Sequence, residues 1–100
     1  MNALTKLDKR AQSVLELKVR NHPGVMSHVC GLLARRAYNM EGIICLPMKD
    51  VRYSAIWLLV NEDARLEQVI QQLRKLRDVL DVERHGVEHR VFTQLKSLFS

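Results

Sequence analysis

The order of hydrophobic periodicities predicts an α+β, ferredoxin-like βαββαβ domain: a four-stranded antiparallel sheet with two helices on one face. Three observations point there. The segments 13–20 and 79–85 alternate apolar and polar residues, as half-buried strands do. The segments 23–38 and 61–78 instead repeat apolar residues at helical spacing. Between them stand two apolar, branched runs, 40–49 and 54–61, separated by the short polar stretch "DVRY".

Each element has its own warrant. Residues 1–12 are polar and aperiodic and read as a flexible leader. In "SVLELKVR", Leu15, Leu17 and Val19 face one way and Glu16, Lys18 and Arg20 the other. The turn "NHPG" follows. From Pro23 to about Tyr38, Val25, Val29, Leu32, Leu33 and Ala37 fall on one helical face, and Asn39 can adopt the left-handed conformation that ends a helix. "MEGIICLPMK" reads as a strand, with Pro47 confining it to an edge or a bulge. "SAIWLLVN" forms an antiparallel hairpin with it. In the second helix Leu66, Val69, Ile70, Leu73 and Leu76 make the stripe, with Asn61 or Asp63 to cap its start. "VLDVERH" is the fourth strand, stopped by Gly86. The domain therefore spans 13–86. Residues 87–100 form an amphipathic tail, with Val91, Leu95 and Leu98, or Phe92, Leu95 and Phe99, as its stripe. So short a helix is marginal alone in water, so the tail is expected to dock on its own body or on a partner.

At 100 residues the chain suits one domain. A domain this small buries only roughly 60–65% of its unfolded surface, so it is expected to lean on a partner or a second copy. No run approaches the length of a membrane span, and the first residues lack the apolar stretch of a secretory signal. The expected location is cytoplasmic, with no membrane contact. Cys30 and Cys45 lie in apolar segments without a C-x-x-C motif and are expected as buried thiols. The net charge of +5 admits a polyanion partner, but cations late in each helix complement the helix dipole.

Several chemistries are weighed and set aside. A metal carrier of this topology would place C-x-x-C in the first loop, where this chain has "NHPGVMS". An RNA-binding domain would show stacking aromatics on strands one and three, where only Trp57 appears. "HGVEH" (85–89) has the spelling of a zinc-peptidase motif, yet that chemistry needs both imidazoles on one helical face, and Gly86 here follows a strand. His22 is expected in a loop and His28 on the solvent side of the helix. No nucleophile has a base and an acid at a recognisable spacing. No metal, nucleic acid or catalytic residue is expected.

The first loop carries the strongest physical warrant for binding. The opening N–H groups of a helix lack intrahelical partners and attract anions. Gly24 permits close backbone approach, and the donors of Gly24, Val25 and Met26 suit a carboxylate. The side-chain carbonyls of Asn21 and Asn39 suit an ammonium. Together they describe a receptor for a free α-amino acid. The plainer alternative is that Asn21 only caps the helix and Asn39 only ends it.

"LELKVRNHPGVMSHVCGLLARRAYNMEGIICLP", continued by "IWLLVNEDARLEQVIQQLRKLRDVLDV", resembles the ACT domain of the regulatory (small) subunit of acetohydroxyacid synthase, also called acetolactate synthase, in its short isozyme I form. The resemblance covers roughly 14–85. It implies that two domains pair side by side into an eight-stranded sheet, with valine bound at the junction of a homodimer. It implies effector contacts from Asn21, Gly24, Val25, Met26, Asn39, Met40 and Ile43. His22 and Pro23 occupy loop places where the family often has small or acidic residues. The resemblance further implies activation and feedback inhibition of a catalytic large subunit in branched-chain amino-acid biosynthesis. That partner would carry thiamine diphosphate, Mg and FAD, with no cofactor on this chain. The alternatives are a stand-alone amino-acid-sensing module serving another enzyme or a transporter, and a basic RNA-binding domain of the same topology.

Overall fold

The computed structural model describes residues 12–86 and Gln94. The expected leader, apart from Gln12, and the expected tail, apart from Gln94, lie outside the described residues. The elements follow in the order β1 (Gln12–Arg20), α1 (Val25–Arg35), β2 (Met40–Pro47), β3 (Tyr53–Asn61), α2 (Leu66–Arg74) and β4 (Val79–Gly86). They build a four-stranded sheet in the order β2-β3-β1-β4. Every pairing is antiparallel. The two hydrophobic runs between the helices do form a hairpin, and β2, the strand containing Pro47, lies at an edge. A proline there removes no ladder bond from the middle of the sheet.

The period of two decides which side chains reach the helices. Leu15, Leu17 and Val19 of β1 pair with Leu58, Ile56 and Ser54 of β3. With Val60, Val82 and the stripes Val25, Val29, Leu32, Leu33 and Leu66, Val69, Ile70, Leu73, they form one core. Leu15, Leu17, Leu58 and Leu73 are fully buried. Truncating such a leucine to alanine costs about 2–5 kcal/mol through lost contact and residual cavity.

Both helices are shorter than their periodicity suggested. Pro23 does not begin α1. It sits in a turn closed by the Val25 N–H donating to the His22 carbonyl at 3.2 Å. Gly24, at φ 92 and ψ −10, has the third-position geometry of a type II turn and serves as N-cap. At the other end the left-handed residue is Ala37 (φ 50), correcting the expectation for Asn39. The Tyr38 N–H reaches the Leu33 carbonyl at 2.9 Å and the Ala37 N–H reaches Ala34 at 3.0 Å, the paired bonds of a Schellman motif. This reversal exposes Ala37 and buries Tyr38 in the core place expected for it. α2 stops at Arg74, yet Leu76 still packs on the core from the following turn. Its entry is arranged by Asp63. The Asp63 carboxylate accepts the Arg65 N–H at 2.7 Å and its carbonyl accepts Leu66 N–H at 3.1 Å. Asn61 remains in β3.

The cysteines depart from expectation. Cys30 is half-buried and Cys45 is exposed. Cys45 pairs with Ile56 and so points to the helix side, but edge strand β2 has little above it there. No helix among the described residues is long and apolar enough to cross a membrane.

Candidate functional site

The loop before α1 leaves several backbone donors open. Among the described residues, the N–H groups of Gly24, Met26 and Ser27 have no hydrogen-bond acceptor. The Val25 N–H, expected among the free donors, is committed to His22. Ser27 takes its place, a consequence of the turn that Gly24 closes. The His28 N–H returns to the Gly24 carbonyl at 2.9 Å and starts the regular ladder. Asn21 does not cap the helix. Its backbone N–H donates to the Arg52 carbonyl at 2.7 Å, and its Nδ2 donates to the Val51 carbonyl at 3.0 Å. Those bonds leave the Asn21 side-chain oxygen as an acceptor. They also tie the loop to the β2–β3 turn.

A cleft of about 380 Å³ adjoins the loop on its α2–β4 side, lined by Arg20, His22, His28, Arg77 and Asp78. The His22 Nδ1 lies 3.7 Å from the Asp78 carboxylate. His22 is exposed in the loop and His28 is exposed on α1, as expected. Sequence reasoning missed Arg20 and Arg77 here. They come from β1 and from beyond α2, and nothing in local spacing couples them.

The residues expected at the helix exit lie elsewhere. Asn39 Nδ2 donates to Glu41 Oε1 at 3.1 Å, and Asn61 Nδ2 reaches the same oxygen at 3.3 Å. Met40 and Ile43 are half-buried against the core. A second cleft, about 370 Å³, is lined by Ala37, Tyr38, Asn39, Asn61, Glu62, Asp63 and Arg65. Arg65 organises this corner. It donates to the Arg36 carbonyl at the end of α1 (2.9 Å) and to Asp63 (3.1 Å), and it lies 5.2 Å from the Tyr38 ring centre. The Tyr38 hydroxyl donates to the Asn61 carbonyl. Burial, then the Asp63 charge, raises the Tyr38 phenol above its ordinary pKa. The Arg65 N–H donating to Asp63 lowers that carboxyl.

Within one protomer the predicted site is therefore divided. Asn21, Gly24, Val25 and Met26 stand where Arg20 pairs with Tyr53 and Pro47 with Ser54. Asn39 and Met40 stand at the far end, where Met40 pairs with Val60 and Gln12 with Asn61. The 11 residues of α1 separate the groups by about 16 Å. Ile43, in mid-strand, pairs with Leu58.

Among the described residues one cluster could gather metal-ligand atoms: Glu16, Glu83 and His85, within 4.8 Å of one another. Glu16 and Glu83 are register partners across β1 and β4, and His85 Nε2 lies 2.8 Å from Glu16 and 3.6 Å from Glu83. The imidazole thus stands between two carboxylates on neighbouring strands. His85 lies on a strand, so it lacks the helical setting a zinc-peptidase motif needs.

Residues 15–81 match the family model of the AHAS small subunit-like ACT domain, AHAS being acetohydroxyacid synthase. The chain belongs to this family. It is 58% identical over 86 residues to the acetolactate synthase isozyme 1 small subunit of Escherichia coli K12, spanning 86% of this chain and 90% of that protein. It is 36% identical over 74 residues to the isozyme 3 small subunit of the same organism, spanning 73% of this chain but only 45% of that longer protein. The acetolactate synthase small subunit of Thermotoga maritima superposes with a TM-score of 0.67 at 24% identity, over 88% of this chain and 67% of that one. The fold recurs in the ACT domain of the Chlorobium tepidum GTP pyrophosphokinase, with a TM-score of 0.60 at 18% identity. Family membership and the ferredoxin-like sheet both agree with the expectation from sequence.

Proposed function

We propose that this chain is the regulatory subunit of an acetolactate synthase, binding valine between two copies of itself and acting on a catalytic large subunit. The observation that carries the reading is the 58% identity to an isozyme 1 small subunit over nearly that protein's whole length. Catalysis belongs to the large subunit, which holds thiamine diphosphate, Mg and FAD. This chain raises its activity and makes it answer to the end product.

The division of the candidate site supports a homodimer. β2 is an edge strand with unpaired backbone groups along its outer side. Two such edges joined antiparallel, centred near Ile43, are related by a two-fold axis. That operation turns the second copy end for end. Its Asn39 and Met40 then approach the Gly24 turn of the first copy, and the reverse holds at the other half. The carboxylate of valine meets the N–H groups of Gly24, Met26 and Ser27. Its ammonium meets the amide oxygens of Asn21 and of Asn39 from the second copy, with Glu41 adding negative charge beside it. Val25, Met26, Met40 and Ile43 line the aliphatic side. Burying that branched side chain is worth about 1.5–3 kcal/mol. Inhibition follows if valine prefers one quaternary state, and a coupling of about 1–3 kcal/mol suffices.

The test combines calorimetry with co-purification. The expected result is valine heat at one site per protomer, together with retention of a large thiamine-dependent subunit. Valine heat without that partner points to a stand-alone amino-acid sensor. RNA binding without valine heat overturns both.

A further inference from the structure

Part of the sheet face opposite the helices is buried without a described element above it. Register places Val14 and Glu16 of β1, Ala55, Trp57 and Leu59 of β3, Ile44 and Leu46 of β2, and Glu83 and His85 of β4 on that side. Val14 and Leu59 form a second small core there, with Ile44 and Trp57 packed against it. Val14 is 0% exposed and Leu59 8%. The Trp57 Nε1 is shut from solvent and has no hydrogen-bond partner among the described residues. A valine on an open sheet face would keep part of its surface wet, so something lies over this one.

We propose that residues 87–100 of this chain lie across the helix-free face as an amphipathic helix and cover Val14, Trp57 and Leu59. Connectivity favours this occupant. β4 ends at Gly86 opposite Ser13, and the preceding His85 is the register partner of Val14. The chain therefore leaves the sheet at the corner where burial is deepest. At the diagonally opposite corner Leu46 is 52% exposed, as a cover of limited reach would leave it. Residues 87–100 extend about 21 Å as a helix, enough to cross four strands spaced about 4.8 Å apart. Gln94 is helical and exposed. In a helix whose stripe Val91, Leu95, Leu98, with Phe92 and Phe99, faces the sheet, it stands at the solvent border of that stripe, three residues from Val91 and four from Leu98.

Trp57 is the only tryptophan and reports on the cover directly. Emission and acrylamide quenching are measured on the full chain and on Phe92→Asp, Leu95→Asp, Leu95→Ala and Ser97→Asp, with circular dichroism as the check on folding. In the parent, Trp57 is expected to emit in the blue and to quench weakly. Both aspartate variants should shift its emission to the red and raise the quenching constant severalfold. Leu95→Ala should do so to a lesser degree, and Ser97→Asp, opposite the stripe, should match the parent. Should the aspartate variants fail to fold, Leu95→Ala decides. Parent-like emission in every folded variant overturns the proposal. So does a red shift of the parent on dilution to monomer, which assigns the cover to a second copy. Protection of Trp57 only on adding the catalytic subunit overturns it in favour of that subunit.

Discussion

Gly24→Asp, read against Gly24→Asn, tests the proposed carboxylate site most directly. Gly24 stands at φ 92, and a Cβ built there meets nothing within 4 Å. Either replacement therefore bears only the left-handed backbone penalty, about 1–2 kcal/mol for an ordinary residue and less for Asn or Asp. The two variants share shape and backbone and differ in charge. An aspartate here sets a negative group beside the open Gly24, Met26 and Ser27 donors. For two unit charges about 5 Å apart, effective dielectric constants between 80 and 20 give about 1–3 kcal/mol of repulsion. Valine affinity of Gly24→Asp should thus fall roughly five- to 150-fold below that of Gly24→Asn. The assay is calorimetric titration with valine at low and moderate salt, and the difference should narrow as salt screens it. Equal affinities in the two variants would refute placement of the carboxylate at this turn.

Other expectations concern the helix exit. Ala37→Gly relieves a left-handed alanine (φ 50) on an exposed corner and should raise stability by roughly 1 kcal/mol, read as an upward shift in Tm. Tyr38→Phe removes the hydroxyl bond to the Asn61 carbonyl and should cost about 1 kcal/mol in denaturant unfolding. Because the Tyr38 pKa is raised in the fold, the parent should lose stability as pH climbs past about 10, and Tyr38→Phe should flatten that loss. Asp50 and Asp63 have lowered pKa values, held down by Arg52 and Arg65 respectively. Their contribution is present above the unfolded value of about 3.9 and fades as pH falls below it, so Asp63→Asn should soften the acid limb of a stability–pH curve.

Much of this fold was legible because alternation and helical spacing are direct images of burial. Leu15, Leu17 and Val19, and Leu66, Val69, Ile70 and Leu73, lie where their spacing put them. Helix ends were harder. Periodicity ran on through Ala37, but the Schellman reversal depends on one backbone angle that alanine rarely adopts, so Tyr38 entered the core instead. The open cap donors followed from Pro23 and Gly24, though closure of the turn exchanged Val25 for Ser27. The separation of Asn39 from Asn21 was implicit in the helix between them. The Arg20–Arg77 cleft was not readable, because long-range juxtaposition leaves no trace in spacing. The burial of Val14 was hidden too: its strand alternates for one packed face, and the sheet packs on both.

The two hydrogen bonds that Asn21 donates to the carbonyls of Val51 and Arg52 join the Gly24 turn to the hairpin tip. That tip and the strand leading to it hold Leu46, Met48 and Val51, at 52%, 38% and 72% exposure. Through Asn21 the loop that opens α1 is thus fastened to an apolar tip that stands in solvent, and neither can be repositioned without breaking two hydrogen bonds or carrying the other along.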